Sequence, residues 1–407
     1  MPATAPEILA AFFEALDARG IPAVIIHGFE EMPARWESDV DFVVPADALI
    51  LLAGIQRSVA EAHGWMLVDV IEANLDARYA VLIEKADPAH WLQLDACADY
   101  IEQQHRLVPA ETLLAGAHLQ GRLRTATAGA EAAYLLSKAL IKKGALTSRA
   151  GRLQHLWEID SEGVERAFQN VAGDTGHTFA EWMAEEPQNQ RKLAERLHRR
   201  KSFGVLDWLR EGWRLIRRIA RPSGLHLAVF CPDGAGKSSL LENIKPALTP
   251  IFRRVSFSHS PPRILKSNSG APNTTLHDLP ARNLFVCILK LMYYFFGHWL
   301  GYLLKVLPAK IRAEAVVFDH GFEEVLINPA RYRLSRVGGL ACCLAALLPS
   351  PDLTIVLEAP PEVIRQRKNW RVFPSDQPLE LLTNEIAGEV YRFLAHRCTQ
   401  RHPSIRR

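Results

Sequence analysis

Cysteine is scarce in this chain: six in 407 residues, at Cys97, Cys231, Cys287, Cys342, Cys343 and Cys398, with no C-x-x-C pair and no zinc-finger spacing. That excludes a disulfide framework and a cysteine-rich structural zinc site, and it fits a reducing compartment. Net charge is small as well, at +3. So weak a bias does not call for a polyanion, and no nucleic acid partner is expected. The N-terminal MPATAPEILAAFFEALDARG lacks the basic start and apolar run of a signal peptide. It reads as an amphipathic first helix, and a cytoplasmic location is expected. Internal repeats and low-complexity tracts are also missing.

What is present is an α/β pattern of ordinary composition, 48% hydrophobic and 23% charged, in a chain long enough for two or three domains. Segments 21–27 (IPAVIIH), 40–44, 79–84 and 91–94 read as strands and 46–63 as helix, which makes a small α/β module over 1–120. From about residue 128 to 220 the strand-like runs stop, so 121–222 is expected to be a helical connector. Within it, 191–221 is rich in Lys and Arg, and Leu206, Leu209, Trp213, Leu215, Ile216 and Ile219 recur at helical spacing. Such a helix is either a solvated face joining two domains or a peripheral contact with an anionic membrane. Pro222-Ser223-Gly224 then breaks the helix. In 223–407, the runs 225–230, 254–258, 315–318 and 353–357 read as strands of a parallel sheet covered on both faces. Segment 284–304 is apolar enough to span a bilayer, yet Lys290 and His298 fall inside it. A charge at that depth is costly, so a buried helix is expected.

The segment Cys231-Pro232-Asp233-Gly234-Ala235-Gly236-Lys237-Ser238-Ser239 follows an expected strand and opens an expected helix. That is the setting of a phosphate-binding P-loop. Gly234 and Gly236 permit backbone shapes that let successive N–H groups turn towards phosphate oxygens. The helix N-terminus adds partial positive charge. Lys237 supplies a cation for the terminal phosphates, and Ser238 a hydroxyl for magnesium. Gly234, Ala235, Gly236, Lys237, Ser238 and Ser239 are the expected ATP-binding residues. Cys231 stands where the first glycine usually sits. Asp319 ends the 315–318 strand, where a carboxylate can hold magnesium or orient an acceptor.

CPDGAGKSS resembles the P-loop of thymidylate kinases, which carries an acid two places after its first position, as Asp233 does here. FDHGFEEVLINPARYR and LEAPPEVIRQRKNWR are similar to that family too, and look most like the thymidylate-kinase-like proteins of bacterial capsule and lipopolysaccharide gene clusters. The resemblance spans roughly 225–397. It implies a P-loop kinase fold, ATP and magnesium, and a homodimer. It also implies catalytic roles for Lys237, Asp233, Asp319, Arg365 and Arg367, the last two with Lys368 in a basic lid. His320 departs from the family, which has arginine there. Histidine is a weaker phosphate partner, so a sugar acceptor competes with a nucleotide.

A second constellation is His27-Gly28-Phe29 followed by Ser38-Asp39-Val40-Asp41, with Asp95 ending a later strand. Two carboxylates two residues apart on a strand share a face, and paired carboxylates suit magnesium chemistry. Over 21–98 this resembles the polymerase-beta type nucleotidyltransferases, which implies metal-binding roles for Asp39, Asp41 and Asp95; Phe29 departs from the family's serine or glycine.

The P-loop therefore leads to an ATP-dependent phosphotransferase acting on a nucleotide, sugar or related small acceptor, and the resemblance to capsule-cluster proteins implies a setting in surface polysaccharide synthesis. Two alternatives stand beside it: a nucleotidyltransferase with an ATP-sensing P-loop part, or a non-catalytic ATP-binding scaffold.

Overall fold

The computed structural model describes residues 3–402 apart from 37, 103, 142–145, 174–176, 185–202, 231–236, 259–282, 319–320, 328, 330–331, 358–369 and 374–377. Two compact units result: Met1–Arg217 with Leu394–Arg407, and Arg218–Phe393.

The first unit holds α1 (Ala5–Asp17), β1 (Val24–Ile25), β2 (Val40–Val43), α2 (Leu52–Ala62), β3 (Trp65–Asn74), β4 (Ala77–Glu84) and β5 (Trp91–Cys97). It continues with β6 (Tyr100–Glu102), β7 (His105–Val108), α3 (Ala110–Leu114), β8 (His118–Gln120) and β9 (Leu123–Thr125). Helices α4 (Ala128–Ile141), α5 (Leu146–Ile159), α6 (Ser161–Ala172), α7 (Phe179–Ala184) and α8 (Val205–Ala220), whose residues 218–220 belong to the second unit, follow. Seven strands form one mixed sheet in the order β3-β4-β5-β2-β1-β9-β8, and β6 pairs with β7 apart from it.

Helix α1 begins where the Thr4 backbone N–H donates to Glu7 Oε2 at 2.7 Å, a capping arrangement that satisfies an end donor. Its inner face buries Ile8, Leu9, Phe12, Phe13 and Leu16, and both phenylalanine rings meet Phe42 of β2 edge-on at 5.7 and 5.4 Å. On β5, Leu92, Leu94 and Ala96 point to the core while Gln93 and Asp95 are half-buried on the other face, as the two-residue strand period requires. Strand β3 carries no uninterrupted apolar run because Asp69 sits within it. Asp69 is buried and ion-paired to Arg401 from the far end of the chain.

The second unit contains β10 (Leu225–Phe230), α9 (Lys237–Leu248), β11 (Val255–Ser258), α10 (Leu284–Gly301), α11 (Leu307–Ile311) and β12 (Ala315–Phe318). After these come α12 (Glu323–Ile327), α13 (Gly338–Ala345), β13 (Leu353–Leu357), β14 (Trp370–Phe373) and α14 (Leu379–Arg401), whose last turns belong to the first unit. All five strands are parallel, in the order β11-β12-β10-β13-β14. Every residue of β10 and β12 is buried, which is why β12 reads as a continuous apolar run and β10 as one broken only by His226.

Helix α10 corrects one expectation. Within the apolar helical stretch Leu284–Ile311, only 17% of an 18-residue apolar window is buried, with Cys287, Leu291 and Gly301 inside and Phe285, Leu289 and Phe296 outside. Lys290 does not oppose packing, because its Nζ reaches the Tyr332 carbonyl at 2.7 Å. Among the described residues this is the one helix long and apolar enough to cross a membrane by length and composition.

Candidate functional site

In the second unit, β10 leads the chain to one edge of the sheet while its neighbour β13 leads it to the other edge. Ligands of open parallel sheets bind beyond the carboxyl ends of strands at such a reversal. Segment 231–236 joins the end of β10 to the start of α9 at that position. Asp233, Gly234, Ala235 and Gly236 lie outside the described residues. Lys237 and Ser238 form the first turn of α9, and Ser239 is exposed. Asp319 and His320 directly follow β12, and Arg365, Arg367 and Lys368 follow β13; all five lie outside the described residues.

A cavity of about 60 Å³ on one face of this sheet is lined by His226, His298, Tyr302, Phe318, Phe322 and Ser350, among others. Burial pushes both His226 and His298 down to about 4, so each is a neutral ring near pH 7.

An acidic cluster lies in the first unit. Asp39 stands at the entrance to β2 and Asp41 lies within it, so both project to one side. Strand β5 runs parallel to β2 and sets Asp95 opposite Asp41. The carboxylate oxygens of Asp39, Asp41 and Asp95 lie within 4.8 Å of one another. Three half-buried carboxylates so close repel each other unless a cation joins them, and an all-oxygen donor set suits magnesium. Burial raises the Asp41 carboxyl; Lys138 opposes the rise and Asp39 adds to it. Tyr134 donates its hydroxyl to Asp41 Oδ2 at 3.0 Å and accepts from Lys138 Nζ at 2.6 Å.

Gly28, with φ of 68°, adopts the left-handed region as the chain leaves β1. Beside it, His27 Nδ1 lies 2.8 Å from Glu131 Oε1. Arg152 clamps the same carboxylate, Nε to Oε1 at 2.8 Å and Nη2 to Oε2 at 2.7 Å. Glu131 is only 1% exposed. Burial alone would raise its pKa, but the hydrogen bonds from His27 and Arg152 hold it below the usual carboxylate range. Arg152 also pairs with Glu30. The resulting cavity of about 420 Å³ is lined by His27, Trp36, Ser38, Asp39, Asp41 and Arg152, among others. Asp39 and Asp41 therefore line the cavity together with Arg152, a half-buried cation held in place by its bonds to Glu131.

The sequence reading located Asp39, Asp41 and Asp95, and the structure brings these three together. Glu131, Tyr134, Lys138 and Arg152 were missed. Their signal was present: Glu131, Tyr134 and Lys138 recur at helical spacing on the apolar helix α4, where a buried polar residue needs a reason.

No family model matches this chain, and no curated protein matches it. Among solved structures, a thymidylate kinase from Ehrlichia chaffeensis matches at 16% identity and a TM-score of 0.29, over 40% of this chain and 96% of its own. A similarity at that level bears on neither the fold nor the function of this chain.

Proposed function

We propose that the second unit is an ATP-dependent phosphotransferase. One observation carries this reading: a P-loop sequence includes Lys237 and Ser238, and Lys237 opens the helix that follows the central strand of a parallel sheet. Backbone N–H groups at a helix start and the Lys237 ammonium would bind the ATP phosphates, and Ser238 would hold magnesium. Asp233 and Asp319 would address the acceptor, with Arg365 and Arg367 stabilising charge on the phosphoryl group in flight. In the transfer, an acceptor oxygen forms a bond to the γ-phosphorus, the bond to the β–γ bridging oxygen breaks, and ADP leaves. The acceptor is a nucleotide, a sugar or a related small molecule, and the likeness to capsule-cluster proteins supports a role in surface polysaccharide synthesis.

The test is ATP consumption with magnesium across nucleoside monophosphates and sugars, comparing wild type with Lys237→Ala. Turnover with one acceptor class, lost at least a hundredfold in the variant, supports the proposal. ATP binding without turnover on any acceptor would replace it with a scaffold.

A second reading concerns the first unit, and the convergence of Asp39, Asp41 and Asp95 within 4.8 Å favours it. Here an acceptor hydroxyl attacks the α-phosphorus of a nucleoside triphosphate, pyrophosphate departs, and the hydroxyl proton passes to a carboxylate. Asp39, Asp41 and Asp95 would hold magnesium, which would neutralise charge on the phosphates. Arg152 and His27, fixed by Glu131, face the same cavity and would meet the phosphate chain. Replacing Asp39 and Asp41 by alanine should abolish nucleotidyl transfer while Lys237-dependent phosphate transfer persists.

A further inference from the structure

Helix α8 is amphipathic in reverse. Its inward stripe is charged: Asp207, Glu211 and Arg214 are half-buried or buried. Asp207 accepts from Arg106 Nη2 at 3.3 Å, and Arg214 donates to Glu211 at 2.5 and 2.7 Å and to the Glu72 carbonyl at 2.7 Å. Its outward stripe is apolar. Leu206, Leu209, Trp213 and Ile216 recur at spacings of three and four and are 70%, 66%, 61% and 56% exposed. Trp208, Leu215 and Ile219 widen the stripe. The helix runs 16 residues, a length of about 24 Å at 1.5 Å per residue. Exposed apolar surface of this extent on one element marks an interaction face.

The charges on the outward side have one sign. Arg210 and Arg221 are exposed, and Arg217 is 52% exposed while its Nη2 reaches Glu72 at 3.1 Å. Both acids of the helix are turned inward and paired with arginines. A helix from a second copy would set Arg210 and Arg217 against like charges, with no outward acid to answer them. A partner that is apolar in its middle and anionic at its rim fits both features, as the interface of an anionic bilayer does. Tryptophan at two positions suits the headgroup level, where an amphipathic ring has one wet edge.

We propose that α8 is a membrane-surface anchor that lies flat in the interface of an anionic bilayer. Leu206, Leu209, Trp213 and Ile216 enter the acyl boundary, and Arg210, Arg217 and Arg221 meet lipid phosphates. The assignment is independent of the chemistry proposed for either unit.

The experiment is vesicle flotation of the full chain, with phosphatidylcholine alone or mixed with phosphatidylglycerol, at low and high salt. Wild type should float with the anionic vesicles, less at high salt, and stay behind with the neutral ones. Leu209→Glu with Ile216→Glu should abolish flotation. Arg210→Ser with Arg221→Ser should weaken partitioning roughly thirtyfold, at about 1 kcal/mol per cation. Unchanged circular dichroism and melting would show that the variants stay folded. Equal binding to neutral and anionic vesicles, or flotation that survives the glutamates, would overturn the assignment. So would a wild-type dimer that ignores vesicles and becomes monomeric with the glutamates, which would make the stripe a self-association face.

Discussion

Asp41 and Asp95 are register partners on neighbouring parallel strands, although 54 residues separate them in the chain (95 − 41). The pairing fixes both carboxylates from the backbone, with Asp39 joining from the strand entrance. Such a cluster costs stability when empty and regains it when a cation enters.

Neutralising one member should therefore act in opposite senses. Asp39→Asn should raise the melting temperature in chelator by a few degrees, as relief of roughly 1 kcal/mol of repulsion would. The same variant should lose the rise that millimolar magnesium gives wild type. Thermal scans with and without magnesium check both, and an unchanged magnesium response would remove Asp39 from the site.

Glu131 offers a sharper energetic test, because it is buried with two partners. Arg152→Met should destabilise the first unit by about 3 kcal/mol, since it leaves the carboxylate without its main cation. Adding Glu131→Gln should recover part of that loss, and a denaturant-based double-mutant cycle would measure how much.

Acid should weaken the second unit through its buried histidines. His226 and His298 are held at about 4 against an ordinary 6.5, so unfolding takes up protons between those values. Stability is then full above about pH 6.5 and falls as pH drops towards 4, by roughly 3 kcal/mol for each group. Denaturation from pH 7 to 4.5 should show this slope, and His298→Phe should flatten it. An equal slope in the variant would locate the acid sensitivity elsewhere.

Arg401 should matter to a strand at the other end of the chain. Arg401→Met leaves Asp69 buried without its cation, a change of about 3 kcal/mol. Amide exchange in β3 should quicken accordingly, and Asp69→Asn should restore part of the protection. Protected β3 amides in Arg401→Met would show that the pair contributes little.

How much of this was legible depended on what each residue needed. Strands β10, β12 and β13 were readable because a strand between two covered faces is apolar at nearly every position, His226 and Thr354 being the exceptions. Strand β3 was not, because Asp69 breaks its run and the cation that makes Asp69 tolerable is Arg401. Helix α8 was readable as a helix, but periodicity is the same whichever stripe packs inward. Hydropathy of 284–304 likewise reported greasiness and not what covers it. Asp39 and Asp41 announced themselves by spacing, whereas Arg152 joins them only through Glu131 on another helix.

The return of α14 to the first unit sets the order in which the chain becomes complete. Residues 394–402 are translated after every residue of 218–393, yet Cys398 belongs to the core that Ile8 and Phe12 begin. The second unit thus has all its residues on hand first, and the first must wait with part of its core unfilled. On the ribosome, where domains form as their residues emerge, the amino-terminal unit would be the last to finish.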